Sequence, residues 1–112
     1  MSDSGIAEFG NKNINISVVY KYVLDVRKTR QVIDLPYKAK ILKVGMLNDQ
    51  FALWALIDKN EVKKIPHEFL ILATGQEFPR ELVTYIGSID NKPSNIEVIF
   101  HVFETIFQEP TE

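Results

Sequence analysis

The chain has 112 residues, of which 13 are Lys or Arg and 15 are Asp or Glu, and it contains no cysteine. This length fits one domain, because domains cluster near about 100–150 residues. The lack of cysteine excludes a disulfide framework and a thiolate metal site. The formal net charge of −2 argues against a strongly basic protein that binds duplex nucleic acid.

The apolar residues favour strands over helices. Val and Ile together number 23 and the aromatic residues 12, whereas Ala and Leu together number 14. Branched and aromatic side chains lose rotamer freedom in a helix and pack well on a pleated sheet. The sequence therefore predicts a mainly β protein.

The two ends of the chain are polar and are predicted to be flexible tails, residues 1–13 and 108–112, around a single β-rich domain at residues 14–107. The first tail has neither the basic nor the apolar region of a signal peptide. The longest uncharged apolar run, residues 69–76, is far shorter than the roughly 20 residues that a membrane helix needs. We therefore expect a soluble, intracellular protein with no membrane partner.

Alternating and fully apolar runs predict about seven short strands in chain order. Asn48-Asp49 separates two of them, and both residues tolerate the positive φ of a two-residue hairpin. The strand after that turn is apolar on both faces, which predicts a central strand covered on both sides, with Trp54 in the core. The predicted strands are residues 17–27, 30–35, 40–47, 50–57, 68–73, 85–89 and 96–103.

The segment after the fifth predicted strand is a turn followed by a helix start. Thr74-Gly75 opens the turn, and Pro79 suits the first turn of a short helix near residues 79–83. With closely spaced strands on both sides, the sequence predicts a compact antiparallel sandwich or barrel-like roll with this one short helix.

The near-neutral charge hides an uneven distribution. Residues 21–43 carry seven basic and two acidic side chains, whereas residues 77–112 carry seven acidic and two basic ones. The basic block is either an anion-binding patch or, as we favour, a set of solvated strand edges and turns. A third interpretation is a homo-oligomer in which acidic and basic surfaces of different copies meet.

The anion-binding interpretation defines a set of candidate residues. Arginine and lysine side chains bind phosphate, tyrosines beside the basic block can stack on a base, and a glycine turn offers backbone N–H groups. The candidate ligand-binding residues are Arg27, Lys28, Arg30, Lys40, Lys43, Tyr22, Tyr37, Thr74 and Gly75.

The inventory of catalytic groups is small. His67 follows Pro66 and is predicted to be a surface turn histidine, whereas His101 is predicted to be half-buried and bonded to backbone. His101 and Glu104 are three residues apart, so a strand places them on opposite faces and they form neither a dyad nor a metal pair. No nucleophile elbow, phosphate-binding glycine loop or metal-ligand spacing occurs. The sequence therefore predicts no enzyme, no metal site and no cofactor.

An ordered set of short motifs across about residues 20–104 resembles a family of small tailed-bacteriophage proteins of unknown function. Two positions depart from the family pattern: Asn48-Asp49 stands where members often have Asn-Gly, and Gln76 stands where a histidine often follows Thr-Gly. The motifs are Tyr20-Lys21-Tyr22-x-Leu24, Leu35-Pro36-x-x-Ala39-Lys40-Ile41-Leu42-x-Val44, Leu53-Trp54-Ala55-Leu56-Ile57-Asp58, Thr74-Gly75-x-x-Phe78-Pro79, Tyr85-Ile86-Gly87 and Phe100-His101-Val102-Phe103-Glu104.

The resemblance implies phage origin and a role in the host cytoplasm during infection, with the virion as the alternative location. We expect a non-enzymatic accessory binding protein that acts on a host process such as a defence pathway. Its partner would be a host protein or a small anionic, nucleotide-like ligand. The alternative is a minor structural or assembly protein of the virion.

Overall fold

The computed structural model describes residues 15–92 and 96–106, and these form seven antiparallel strands in two sheets. This confirms the mainly β fold predicted from the sequence. The predicted tails, residues 1–13 and 108–112, lie outside the described residues. The described part of the chain contains no helix long and apolar enough to span a membrane. The strands are β1 Ser17–Leu24, β2 Arg30–Pro36, β3 Lys40–Leu47, β4 Gln50–Asp58, β5 Lys64–Ala73, β6 Val83–Asn91 and β7 Val98–Thr105.

The two sheets pack their inner faces against each other. One sheet has three strands in the order β1–β4–β3, and the other has four strands in the order β2–β5–β7–β6. Leu53 of β4 is fully buried against a core that includes Phe69 of β5 and Val102 of β7. The rings of Phe51 and Phe100 meet edge to face with centroids 5.1 Å apart. Alternate residues of each strand therefore supply one continuous apolar core.

The hairpin between β3 and β4 forms at the predicted position. Asn48 and Asp49 have φ angles of 51° and 65°, and Leu47 pairs directly with Gln50. Positive φ at both central residues is the geometry that matches the twist of the flanking strands. The two side chains tolerate this conformation, so the predicted two-residue turn is confirmed.

One edge of the sandwich is closed by the close approach of β3 and β6. A Cβ atom added at Gly87 of β6 would lie 3.0 Å from Cγ2 of Val44 in β3. The glycine stands at a register shift between Tyr85 and Gly87, where β6 carries an irregularity in its pairing with β7. The absence of a side chain at Gly87 therefore lets the edges of the two sheets pack together.

We expect Gly87→Ala to lower the free energy of unfolding by about 1 kcal/mol, because the added methyl group overpacks the contact with Val44. Gly45→Ala is the matched control, since its added Cβ would lie at an ordinary 3.7 Å from Trp54. Denaturant titration of the two variants measures the difference. The double variant Val44→Ala/Gly87→Ala should lose less than the sum of its single changes, and equal losses for Gly87→Ala and Gly45→Ala would contradict the contact.

The predicted short helix near residues 79–83 is wrong. Residues 76–82 have no regular secondary structure, and Val83 is already the first residue of β6. β5 and β6 are both antiparallel to β7 and are therefore parallel to each other, so the connection between them must return along the sheet. Within this connection Arg30 binds Glu81, and Phe78 lies near Phe103. These contacts with distant residues, and the pairing of Val83 with Thr105, hold the segment in an irregular path across the sheet in place of a helical turn.

This crossover, residues 74–82, covers the outer face of the four-stranded sheet. Leu70 and Leu72 point outward from β5, yet they are only 1% and 3% exposed. Phe78 of the crossover lies over Phe103 of β7 with ring centroids 6.5 Å apart, and Tyr85 meets the same ring at 5.5 Å. The crossover therefore covers the centre of this outer face, whereas Val32 and Tyr85 nearer its edges remain 51% and 55% exposed.

Candidate functional site

Arg27, the first arginine of the predicted set, is held within its own loop. Its Nε and Nη2 donate to the two carboxylate oxygens of Asp25 at 3.1 and 3.2 Å, and its backbone N–H donates to the same side chain at 3.0 Å. These bonds lower the pKa of the Asp25 carboxyl below its ordinary value. The guanidinium remains 86% exposed but is already paired. An incoming anion would have to compete with Asp25 for the same donors.

Arg30 is bound more extensively, and it joins the basic block to the acidic block. Its guanidinium donates to both oxygens of Glu81 at 2.7 and 3.1 Å and to Glu68 at 3.2 Å. The Thr105 hydroxyl donates to the same Glu68 oxygen at 2.8 Å. The hydrogen bonds between Arg30 and Glu81 stabilise both charged forms, so they lower the pKa of the Glu81 carboxyl and raise the pKa of the Arg30 guanidinium. The two charge blocks of the sequence thus meet within one chain, and Arg30 fastens the crossover to β2.

The Thr74-Gly75 turn stands beside the loop between β1 and β2. Gly75 has a φ of 89°, as expected for a glycine turn. The hydroxyl of Thr74 lies 2.8 Å from His101 Nε2 and 3.2 Å from the Ile99 carbonyl oxygen, and Gln76 donates to Thr29 at 3.2 Å. His101 is half-buried as predicted, but its partner is the threonine hydroxyl and not the backbone. The turn is thereby tied to its surroundings through side chains.

The structure does not bring the nine candidate residues into one site. Tyr22 faces the core from β1, where burial raises the pKa of its hydroxyl. Tyr37 lies at the opposite end of the sandwich from Thr74, with the ammonium groups of Lys38 and Lys63 at 5.5 and 4.8 Å from its ring centroid. Arg27, Lys28, Arg30, Thr74 and Gly75 are at one end, Tyr37 and Lys40 are at the other, Lys43 is on an outer face and Tyr22 is on an inner face.

Two open cavities lie at the two ends of the sandwich, and both mix charges. Arg27 lines a cavity of about 450 Å³ together with Asp25 and Asp49. Lys40 lines one of about 350 Å³ together with Asp58 and Glu61, among other residues. Carboxylates beside the cations weaken the attraction of either cavity for a phosphate group. Binding of an anionic ligand by the nine residues stays a prediction.

The outer face of the three-stranded sheet is different in character, because it is apolar and bare. Trp54 of β4 lies at its centre, half-buried, and not in the core as predicted. Lys21 of β1 and Lys43 of β3 are its direct neighbours in the sheet register, and the Lys43 ammonium lies 5.3 Å from the ring centroid. We call this surface the Trp54 face; it comprises Val19, Lys21, Val23, Lys43, Trp54 and Leu56.

No element among residues 15–92 and 96–106 covers the Trp54 face. Val19 and Val23 are each 48% exposed and Leu56 is 37% exposed. The sequence signal for this face was the apolar character of both sides of β4, which we interpreted as coverage on both sides. The central position of β4 is confirmed, but the crossover covers the other sheet.

The structure also joins two residues that the sequence analysis kept apart. His67 lies within β5 and not in a surface turn, since β5 begins at Lys64. Its Nδ1 donates to Glu104 Oε2 at 2.5 Å, both side chains are about three-quarters buried, and the imidazole stacks near Phe69 at 6.4 Å. Glu104 and His101 lie on opposite faces of β7, as their spacing predicts. A histidine oriented by a carboxylate resembles part of a catalytic triad, but among the described residues no hydroxyl bonds to its other ring nitrogen.

The described residues contain no group of three or more His, Asp or Glu side chains placed to hold a metal ion. The sequence of the chain matches the pattern of a domain of unknown function, DUF7352, over residues 16–112. No match was found among curated proteins or among solved structures.

Proposed function

Since the chain belongs to DUF7352, a domain family of unknown function, we propose that it is a non-enzymatic accessory binding protein of phage origin. It acts on a host process by occupying a surface of a host protein. The motif resemblance to small tailed-phage proteins supports the origin, and the Trp54 face supports the mode of action. Counter-defence is the host process that we favour.

The observation that carries the proposal is an uncovered apolar sheet face that bears lysines. Trp54 supplies a large aromatic anchor of the kind that dominates binding energy at protein interfaces. Lys21 and Lys43 flank it on both sides, and Lys40 pairs with Leu56 at the end of the same face. This arrangement fits a host surface with an apolar centre and an acidic rim, because opposite charges at a rim steer association and fix orientation.

The state of the polar side chains supports binding over catalysis. Arg30, Glu68, Glu81 and Thr105 satisfy one another, and His67 and Glu104 are paired. A catalytic group needs a free polar atom directed at a substrate. The same pairing favours a protein partner over a sequestered nucleotide, because Arg27 and Arg30 are already engaged by carboxylates.

The test compares the natural chain with the double variant Lys21→Glu/Lys43→Glu. Each protein is immobilised, exposed to host lysate, and the captured proteins are quantified. The matched control Lys64→Glu/Lys92→Glu makes the same charge change at two exposed lysines, one at the start of β5 and one directly after β6. We expect one host protein to be retained by the natural chain and by the control and to be lost from the face variant.

The captured protein is then purified and titrated by calorimetry. We expect Lys21→Glu/Lys43→Glu to weaken its Kd at least about tenfold, and added salt to weaken the natural complex. Equal affinity for the natural chain and the face variant would contradict the proposal. Stoichiometric recovery of the chain from purified phage particles would favour the virion alternative instead.

A further inference from the structure

Among the described residues no strand pairs with the outer edge of β1, and we propose that this edge pairs with β1 of a second copy of this chain. The two copies would form an antiparallel dimer with a continuous six-stranded sheet. The interface is formed by peptide groups at the edge of the sheet, so the proposal does not require that the Trp54 face binds a host protein, although Val19, Lys21 and Val23 belong to both surfaces.

Among the described residues, β1 has the least protection against pairing of the four sheet edges. β2 carries Arg30 and Asp34 and ends in Pro36, whereas β6 has the irregularity at Gly87. β3 has a register shift after Ile41 and lies against β6. Charges, proline, bulges and coverage are the devices by which proteins block edge pairing. β1 is eight residues long, pairs with β4 without any register shift, and carries one charge.

The hydrogen bonds between β1 and β4 show which peptide groups of β1 point away from β4, toward the outer edge of the sheet. The N–H of Lys59 donates to the carbonyl of Ile16 at 2.8 Å, directly before the first pair of the ladder between β1 and β4. Hydrogen-bonded and non-hydrogen-bonded pairs alternate along an antiparallel ladder. Even-numbered residues of β1 therefore bond to β4, and the peptide groups of Val19, Lys21 and Val23 point outward. No strand in the described residues pairs with them.

The exposed side chains of β1 favour pairing with a copy of itself. Val19 and Val23 are 48% exposed and Tyr20 is 47% exposed, although Tyr20 points to the inner side of the sheet. A continuous sheet requires residues of the same face to stand opposite each other. Registers centred on Tyr20 or on Lys21 satisfy this rule with the greatest overlap.

Charge then selects between the two registers. A centre at Lys21 would place two ammonium groups directly opposite each other, which destabilises a strand pair. A centre at Tyr20 places Lys21 opposite Val19 of the second copy and pairs Ser17 with Val23. The two Tyr20 residues then meet as a non-hydrogen-bonded pair, where side chains approach most closely. In this register the two copies present the same face and match in their hydrogen-bonding positions, and no like charges stand opposite each other.

The first test measures the mass of the full-length chain by analytical ultracentrifugation at high micromolar concentration. One chain has a mass of 12.9 kDa, and we expect the measured mass to be twice that value. Val19→Pro removes an N–H that points to the free edge and leaves the ladder to β4 intact, so we expect a folded monomer. Val19→Thr retains that N–H and is the matched control, for which we expect a dimer.

A single introduced cysteine tests the register, because the natural chain contains none. In the proposed dimer the two Tyr20 Cα atoms are about 4.5 Å apart, within the range that a disulfide spans. We expect Tyr20→Cys to form a covalent dimer with copper–phenanthroline as the oxidant. Val23→Cys is the control, since Val23 is equally exposed but lies about 20 Å from its copy in this register.

Three results would overturn the proposal. The full chain could sediment as a monomer, or Val19→Pro could remain a dimer with its fold intact. Tyr20→Cys and Val23→Cys could also cross-link at the same rate. If a monomeric full chain becomes a dimer only after residues 1–14 are removed, the occupant of the edge is the preceding segment of the same chain and the proposal fails.

Discussion

Leu70→Ala is expected to lower the free energy of unfolding by about 2–4 kcal/mol, because it removes methyl groups from a fully packed site. The size of this effect is informative because Leu70 points to an outer face of a sheet. Without the crossover it would be a surface residue, for which a substitution usually changes stability by less than about 0.5 kcal/mol. Its 1% exposure therefore depends on residues 74–82 lying across the four-stranded sheet.

Leu56→Ala is the matched control for this measurement. Leu56 also points outward, but from the bare three-stranded sheet, and it is 37% exposed. We expect a smaller loss, about 1 kcal/mol, since more than a third of the Leu56 surface is already in water. Denaturant titration of both variants at one protein concentration gives the comparison. Equal losses at the two positions would contradict the assignment of one covered and one uncovered outer face.

The second large effect is expected at the pair formed by His67 and Glu104. His67→Phe and Glu104→Leu should each cost about 2 kcal/mol, because each leaves a polar partner without its bond in a largely buried position. The double variant should recover most of the loss, since two apolar side chains fit beside Phe69. The coupling from this double-mutant cycle is expected to exceed about 1 kcal/mol.

The cycle also separates a structural pair from a catalytic one. A structural pair can be replaced by apolar side chains, and partner binding by the Trp54 face should then persist in the double variant. Thermal unfolding and the calorimetric titration of the captured host protein provide the two measurements. Losses that simply add, with no recovery, would show that the two side chains do not stabilise the fold through each other.

Features set by neighbouring residues could be predicted from the sequence, and features set by distant ones could not. The hairpin at Asn48-Asp49 depends on two adjacent residues with positive φ, and it forms where expected. The strands follow from local alternation, although β5 begins before Glu68 because Ile65 and His67 also face inward. The helix near residue 79 fails because distant partners, which no local pattern encodes, bind its residues: Arg30 binds Glu81, and Thr105 pairs with Val83.

The same distinction applies to the candidate site. Arg30 reaches Glu81 across 51 positions, and His67 reaches Glu104 across 37. A count of charges along the chain detects both blocks but cannot show that Arg30 of one block pairs with Glu81 of the other. The apolar character of β4 on both sides is visible in the sequence. Which sheet the crossover covers is decided by the topology, and that choice leaves Trp54 at the surface.

The position of β7 in the four-stranded sheet has a consequence for biosynthesis. β7 lies between β5 and β6, yet it follows both of them in the chain. Until residues 98–105 have left the ribosome, β5 and β6 have no strand between them to pair with. Until then the apolar residues of β5 in the nascent chain lack their final partner strand. The sheet is completed when β7 inserts between β5 and β6, and not by the addition of a strand at an edge. Folding of this domain is therefore a late event, and the unfinished sheet is a point at which chaperones can engage it.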